Sequence, residues 1–195
     1  KNSMLRLTAV GHGSARVAEV TFSDGFITNG GFENGYQGWS VAQSVGPFGN
    51  SWYVYTGAVG PISGQPISAP PEGTHAMVSD HIGGGFQFLY QDLILESGYT
   101  HTLKFKVYYQ NHATGFFTPL SLAAAGNNQQ YRVDIIKMNS PIESVAPADV
   151  LATPFKTSVG DPNSLPPTLV TADLTRFAGF TVRLRFAVVV TEQVL

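Results

Sequence analysis

The chain has 195 residues, 43% of them hydrophobic and 12% charged, with 21 Gly, 12 Pro and no Cys. The hydrophobic share excludes a disordered tail, and a charged share about half the usual one, filled by Gly, Pro and aromatics, argues against surface helices, which carry Lys and Glu. A net charge of −2 gives no reason to expect nucleic acid or an anionic membrane, and the lack of Cys removes disulfides, thiolate zinc sites and cysteine nucleophiles.

Taken in chain order, nearly every patterned segment reads as strand. Residues 5–10 and 15–22 alternate around a Gly-His-Gly turn. The stretch 29–39, "NGGFENGYQGW", holds two Asn-Gly pairs and reads as tight turns at the edge of a sandwich, with Phe32 and Trp39 as core anchors. Strands are then expected at 51–56, 75–79, 86–95, 101–110 and 131–138, with weaker ones at 154–158 and 168–173 and a last one at 180–190. The best helix signal, "SLAAAG" at 121–126, is too short to matter. Long Pro- and Gly-rich loops separate the strands, there is no βαβ alternation, and no apolar run approaches the roughly 20 residues of a membrane span. The expected fold is all-β, an antiparallel two-sheet sandwich or barrel.

Alternation sorts the faces of these strands. Leu103, Phe105, Val107 and Tyr109 share one face of their strand, opposite Lys104, Lys106 and Tyr108. Tyr131, Val133 and Ile135 oppose Arg132 and Asp134, and Val182, Leu184, Phe186 and Val188 oppose Arg183 and Arg185. If these strands are neighbours, the second set builds one polar sheet face with an aromatic on it. No Lys or Arg occurs between Arg16 and Lys104, while Glu33, Asp80, Asp92 and other acids do; this half is either plain solvated surface or a host for a hard cation.

Four pieces in order resemble the galactose-binding-like jelly roll, the fold of many carbohydrate-binding modules and of related bacterial surface-protein domains. They are the Asn29-Gly30, Phe32-Glu33, Gly38-Trp39 signature; "PEGTHAMVS" at 71–79; "FLYQDLILESGYTHTLKFKV" at 88–107; and "TADLTRFAGFTVRLRF" at 171–186. The resemblance covers roughly residue 24 onward, so we read 1–23 as an N-terminal strand-rich arm and 24–195 as the jelly-roll domain. It implies an extracellular or cell-surface, bacterial setting. The chain starts at Lys1 with no visible signal peptide and is read as processed or partial. The family closes with a short strand that this sequence lacks. Truncation explains that, as does strand addition by the arm of the same or a neighbouring copy.

Sugar binding needs flat apolar faces for rings and planar polar groups for hydroxyls. The candidates are Tyr108, Phe116 and Phe117 for the first, and Lys106, Arg132, Asp134 and Arg183 for the second. Hard oxygen ligands make Ca2+ the metal to expect. The resemblance implies a structural calcium held by Glu33 and by backbone carbonyls around Gly73 and Thr74, although the closing-strand Asp has no counterpart. No catalytic motif is present: the five His form no HExxH, and there is no Gly-x-Ser-x-Gly. The sequence therefore reads as a non-catalytic module that binds a glycan or polysaccharide. A structural subunit of a surface layer or fibre, joined to copies of itself through edge strands and the arm, is the alternative.

Overall fold

A computed structural model describes residues 14–17, 21–22, 27–44, 51–70, 73–81 and 83–191. The strand expected at 5–10 and the arm boundary at 23–24 lie outside them. Eleven strands follow in order: β1 (Ser14–Val17), β2 (Thr21–Phe22), β3 (Ser40–Gln43), β4 (Ser51–Tyr55), β5 (Ala76–Asp80), β6 (Gly85–Ile94), β7 (Thr102–Gln110), β8 (Gln130–Lys137), β9 (Val150–Lys156), β10 (Ser164–Asp173) and β11 (Thr181–Val190). Among the described residues the only helical element is a 3-10 turn, Thr175–Phe177. No helix there is long and apolar enough to cross a membrane.

All pairings are antiparallel. One sheet runs β3-β6-β11-β8-β9. A second places β7 between β10 on one side and β1 and β2 on the other, and β4 pairs with β5 beside it. The two arm segments thus pair with β7 of their own chain. The core lies between the layers, where Leu89, Leu93, Leu184 and Phe186 of the five-stranded sheet meet Leu103, Phe105 and Val107 of β7 and Met77 of β5. Phe105 and Phe186 meet edge to face at 6.0 Å between centroids, linking the two sheets. The inward residues are those that alternation selects.

Some details differ from the sequence reading: the segment expected at 15–22 gives the two strands β1 and β2, and β10 begins at Ser164, four residues before its expected start. β3 has only four residues, too few for its alternation to register. β9 begins at Val150, four residues before the expected start, and carries Pro154 inside it. Only an edge strand tolerates that, since Pro has no N–H to give a second neighbour.

The 29–39 loop is organised by one side chain. Asn29 donates through Nδ2 to the carbonyls of Gly35 (2.8 Å) and Gln37 (3.2 Å), and its Oδ1 accepts from Asn34 N–H (3.1 Å). The Asn29 carbonyl accepts from Trp39 Nε1 at 3.2 Å. Phe32 and Trp39 are buried and their rings lie 5.3 Å apart. Phe32 has φ 54, a conformation unusual for a bulky residue, which this hydrogen-bonded frame holds in place. Gln91 of β6 fastens the loop to the sheet, accepting from Thr28 N–H (2.8 Å) and donating to the carbonyls of Thr28 (3.0 Å) and Gly38 (2.7 Å). Gly38 has φ 82, and a Cβ there would sit 2.7 Å from Thr28, so only Gly fits.

Asn29→Ala strands three backbone groups at once. It is expected to cost about 1–3 kcal/mol, lowering Tm by about 3–9 °C. Thermal melts followed by Trp fluorescence would check this.

Candidate functional site

The expected single polar face is divided between two sheets. Arg132 and Asp134 (β8) and Arg183 (β11) share the outer face of the five-stranded sheet, in register with Tyr90 and Asp92 of β6. Lys106 and Tyr108 belong to β7, on the other sheet. Alternation reports which residues of a strand share a face, not which strands are neighbours. Tyr108 is also no exposed platform: it is buried, and its hydroxyl lies 3.4 Å from the Ser68 N–H that points to it. The aromatic on the arginine face is instead Tyr90. The Arg183 guanidinium stacks over its ring at 4.6 Å and bonds Asp92 in bidentate fashion at 2.6 and 2.9 Å.

The adjacent phenylalanines separate. Phe116 is core, meeting Tyr109 and Tyr131 edge to face at 5.3 and 5.2 Å. Phe117 is half-buried, and its backbone bridges to Gln129 through two hydrogen bonds of 3.1 and 2.8 Å.

Asp134 is the hub of the arginine face. It is fully buried and accepts from Arg132 Nε and Nη2 (2.7 and 2.8 Å), from Thr153 Oγ1 (2.8 Å) and from Arg185 Nη2 (2.5 Å). Arg185 is fully buried as well. Its Nη1 donates to the carbonyls of Ile142 and Ser144, so one guanidinium joins the sheet to the 140–146 loop. Burial pushes this guanidinium's pKa down, and the charge of Asp134 and its hydrogen bond oppose that shift.

That loop forms one wall of a groove of about 640 Å3 over the same sheet. The floor is Ala42 and Phe86, with the buried Phe88 ring stacked beneath Phe86 at 5.1 Å and 18°. Leu120 to Ala123 form the opposite wall, and Ile142, Glu143 and Val145 the near one. Behind the floor, Phe88, Leu122, Ala187 and Val189 make a second buried apolar cluster separate from the main core. The far wall is fixed by two buried amides. Asn128 Nδ2 donates to the carbonyls of Ser121 (3.0 Å) and Ala123 (2.8 Å), and Gln130 Nε2 to those of Pro119 (3.2 Å) and Ser121 (2.9 Å). Leu120 is 90% exposed on the rim, and Gln43 and Glu143 are also exposed there. The groove was missed in the sequence, yet a signal was there. The end of β11, "FAVVV", is apolar on both faces, so both sides of the sheet must be covered there.

Glu33 and Thr74 do meet, through a direct clamp. Glu33 Oε1 accepts from Thr74 N–H (2.8 Å) and His75 N–H (3.1 Å), and Oε2 from the Thr74 hydroxyl (2.6 Å), with His75 Nδ1 at 3.0 Å. Gly73 has φ 64, and a Cβ there would sit 2.0 Å from Oε1. Desolvation raises the Glu33 pKa, but the hydrogen bonds from Thr74 and His75 outweigh it and hold the pKa to about 2. This arrangement does not fit the calcium site that the resemblance implies. The groups converging on the carboxylate are N–H and O–H donors, where a cation needs further oxygens. Among the described residues no three His, Asp or Glu converge on one point.

Two other buried polar groups are structural. Asp80 Oδ2 accepts from the N–H groups of Ile62 and Ser63, both at 2.8 Å, closing a turn. Ser79 Oγ lies 3.0 Å from His81 Nε2, but both residues are fully buried, and burial pushes the His81 pKa down to about 4. No substrate reaches this pair.

Comparisons with family profiles, curated proteins and solved structures return no match. The antiparallel sandwich therefore stands on this chain's own residues.

Asp134→Ala leaves Arg185 charged, buried and without its carboxylate, an expected loss of about 3–5 kcal/mol in chemical denaturation. Asp134→Leu with Arg185→Met restores most of that stability but releases the wall, read as faster amide exchange at 142–145. For Glu33, whose pKa falls from 4.5 to about 2 on folding, the clamp's contribution is whole above 4.5 and is lost as pH drops toward 2. Glu33→Gln is expected to flatten stability across that window, modestly, since the side chain is 43% exposed.

Proposed function

We propose that this chain is a non-catalytic, extracellular carbohydrate-binding module of the galactose-binding-like type, and that it holds its glycan in the groove over Phe86. The observation that carries this reading is the construction of the groove. An aromatic floor is flanked by two loops, each fixed to the sheet by buried polar side chains that grip its backbone carbonyls. Walls held in place before a ligand arrives lose little entropy on binding.

The chemistry of the lining suits a sugar. The apolar face of a pyranose packs on Phe86 and Leu120, and its hydroxyls meet the Gln43 amide, the Ser121 hydroxyl and the Glu143 carboxylate. The pairing of 14–17 and 21–22 with β7 of the same chain supports a self-contained module over strand exchange between copies. Edge strand β10 carries Pro166 and Pro167, which weaken it as a template for a neighbouring strand.

Affinity electrophoresis against a panel of polysaccharides tests the reading. Retention is expected on at least one, falling about tenfold in Phe86→Ala while the melting transition stays cooperative. Free migration through every gel would count against it.

A further inference from the structure

We infer that the groove accepts uncharged glycans and rejects acidic ones, and that Glu143 sets this choice. The inference rests on the binding reading above and concerns the ligand's charge class. Among the described residues that line the groove there is no Lys, Arg or His, and the single charged group is Glu143. A uronic-acid carboxylate entering the groove meets no cation to offset its lost hydration. It also comes to lie beside a carboxylate of the same sign.

The charge behind the wall explains why an acid stands there. Arg132 and Arg185 share one carboxylate, Asp134, so the buried group carries one excess positive charge. Neither guanidinium is offered to a ligand. Arg185 is fully buried, with its two Nη groups spent on Asp134 and on the Ile142 and Ser144 carbonyls, and Arg132 is forked onto Asp134. Glu143 is the acid whose field Arg185 feels from the groove side. With Glu143 in place the groove offers an anion no cation and one like charge. Without it, the lining carries no charge, and the buried positive excess behind the loop is opposed by one acid fewer. The carboxylate has a second use with a neutral sugar. It is exposed, makes no hydrogen bond among the described residues, and has acceptor sites for two hydroxyls.

The test is affinity electrophoresis of the wild-type chain, Glu143→Gln and Phe86→Ala. The gels hold neutral polymers (galactan, mannan, xylan, β-glucan) or uronate polymers (polygalacturonate, alginate), at about 50 and about 200 mM salt, where screening differs. Wild type is expected to bind at least one neutral polymer with little salt dependence and uronates at least about tenfold more weakly. Glu143→Gln is expected to gain uronate retention that fades with salt and to lose part of its neutral retention. Wild-type retention on uronates that disappears in Phe86→Ala overturns the charge assignment and leaves the binding reading standing. Unchanged discrimination in Glu143→Gln overturns the role of Glu143. Retention on no polymer, or retention indifferent to Phe86→Ala, overturns both.

Discussion

The second buried face of the five-stranded sheet depends on one ion pair, Asp134 with Arg185. Taking both charges out of water costs several kcal/mol per ion, and their attraction offsets this only when the remaining hydrogen-bonding capacity is filled. Here Asp134 has Arg132 and Thr153 as further donors, and Arg185 has two loop carbonyls, its Nε alone finding no partner among the described residues. The pair is tolerated because it does what an apolar pair of equal volume cannot: it grips the backbone of a loop. The loop then covers Val145 and Ile142 against Phe88 and Ala187. The polar pair thus brings one cover of the smaller apolar cluster, and Leu122 of the loop held by Asn128 and Gln130 supplies the other.

Hydrophobic burial alone accounts for the main core, where residues alternate as the strands require. It does not account for the loops, whose positions are set by polar side chains: the half-buried Asn29 and buried Gln91 at one end, Asp80 under a turn, Asn128 and Gln130 beside the groove, Arg185 opposite. A low-charge chain with many Gly and Pro residues has few helices or ion-pair networks to order its connections. Single amides and carboxylates take that part. Each reaches several backbone groups, and each is worth more in this low-dielectric setting than at the surface.

Much of the fold was legible in the sequence. Strands β4 to β8 and β11 begin and end within a residue or so of where alternation and turn residues put them. Phe32 and Trp39 are buried as the opening motif implied. The site was less legible, for two reasons. First, Lys106 and Tyr108 look equivalent to Arg132 and Arg183 when each strand is read alone, and only strand order separates them. Second, Arg183 and Arg185 are indistinguishable in "VRLRF". One forks to an exposed Asp, and the other is fully buried beneath a loop more than forty residues away in sequence. Contacts across that separation leave no local pattern. The polar run "NNQQ" at 127–130 was the nearest thing to a clue, since three buried amides in succession must have found partners.

The buried side chains that set the groove all hold carbonyl oxygens. Asn128, Gln130 and Arg185 contact Pro119, Ser121, Ala123, Ile142 and Ser144 through the main chain, which is the same whatever residue occupies the position. The outward side chains at 120 and 123 are thereby uncoupled from the means by which their loop is held. Such a surface can drift in specificity by single substitutions without passing through unfolded intermediates, in nature as in a display library. The scaffold and the chemistry of the groove's rim become separately heritable.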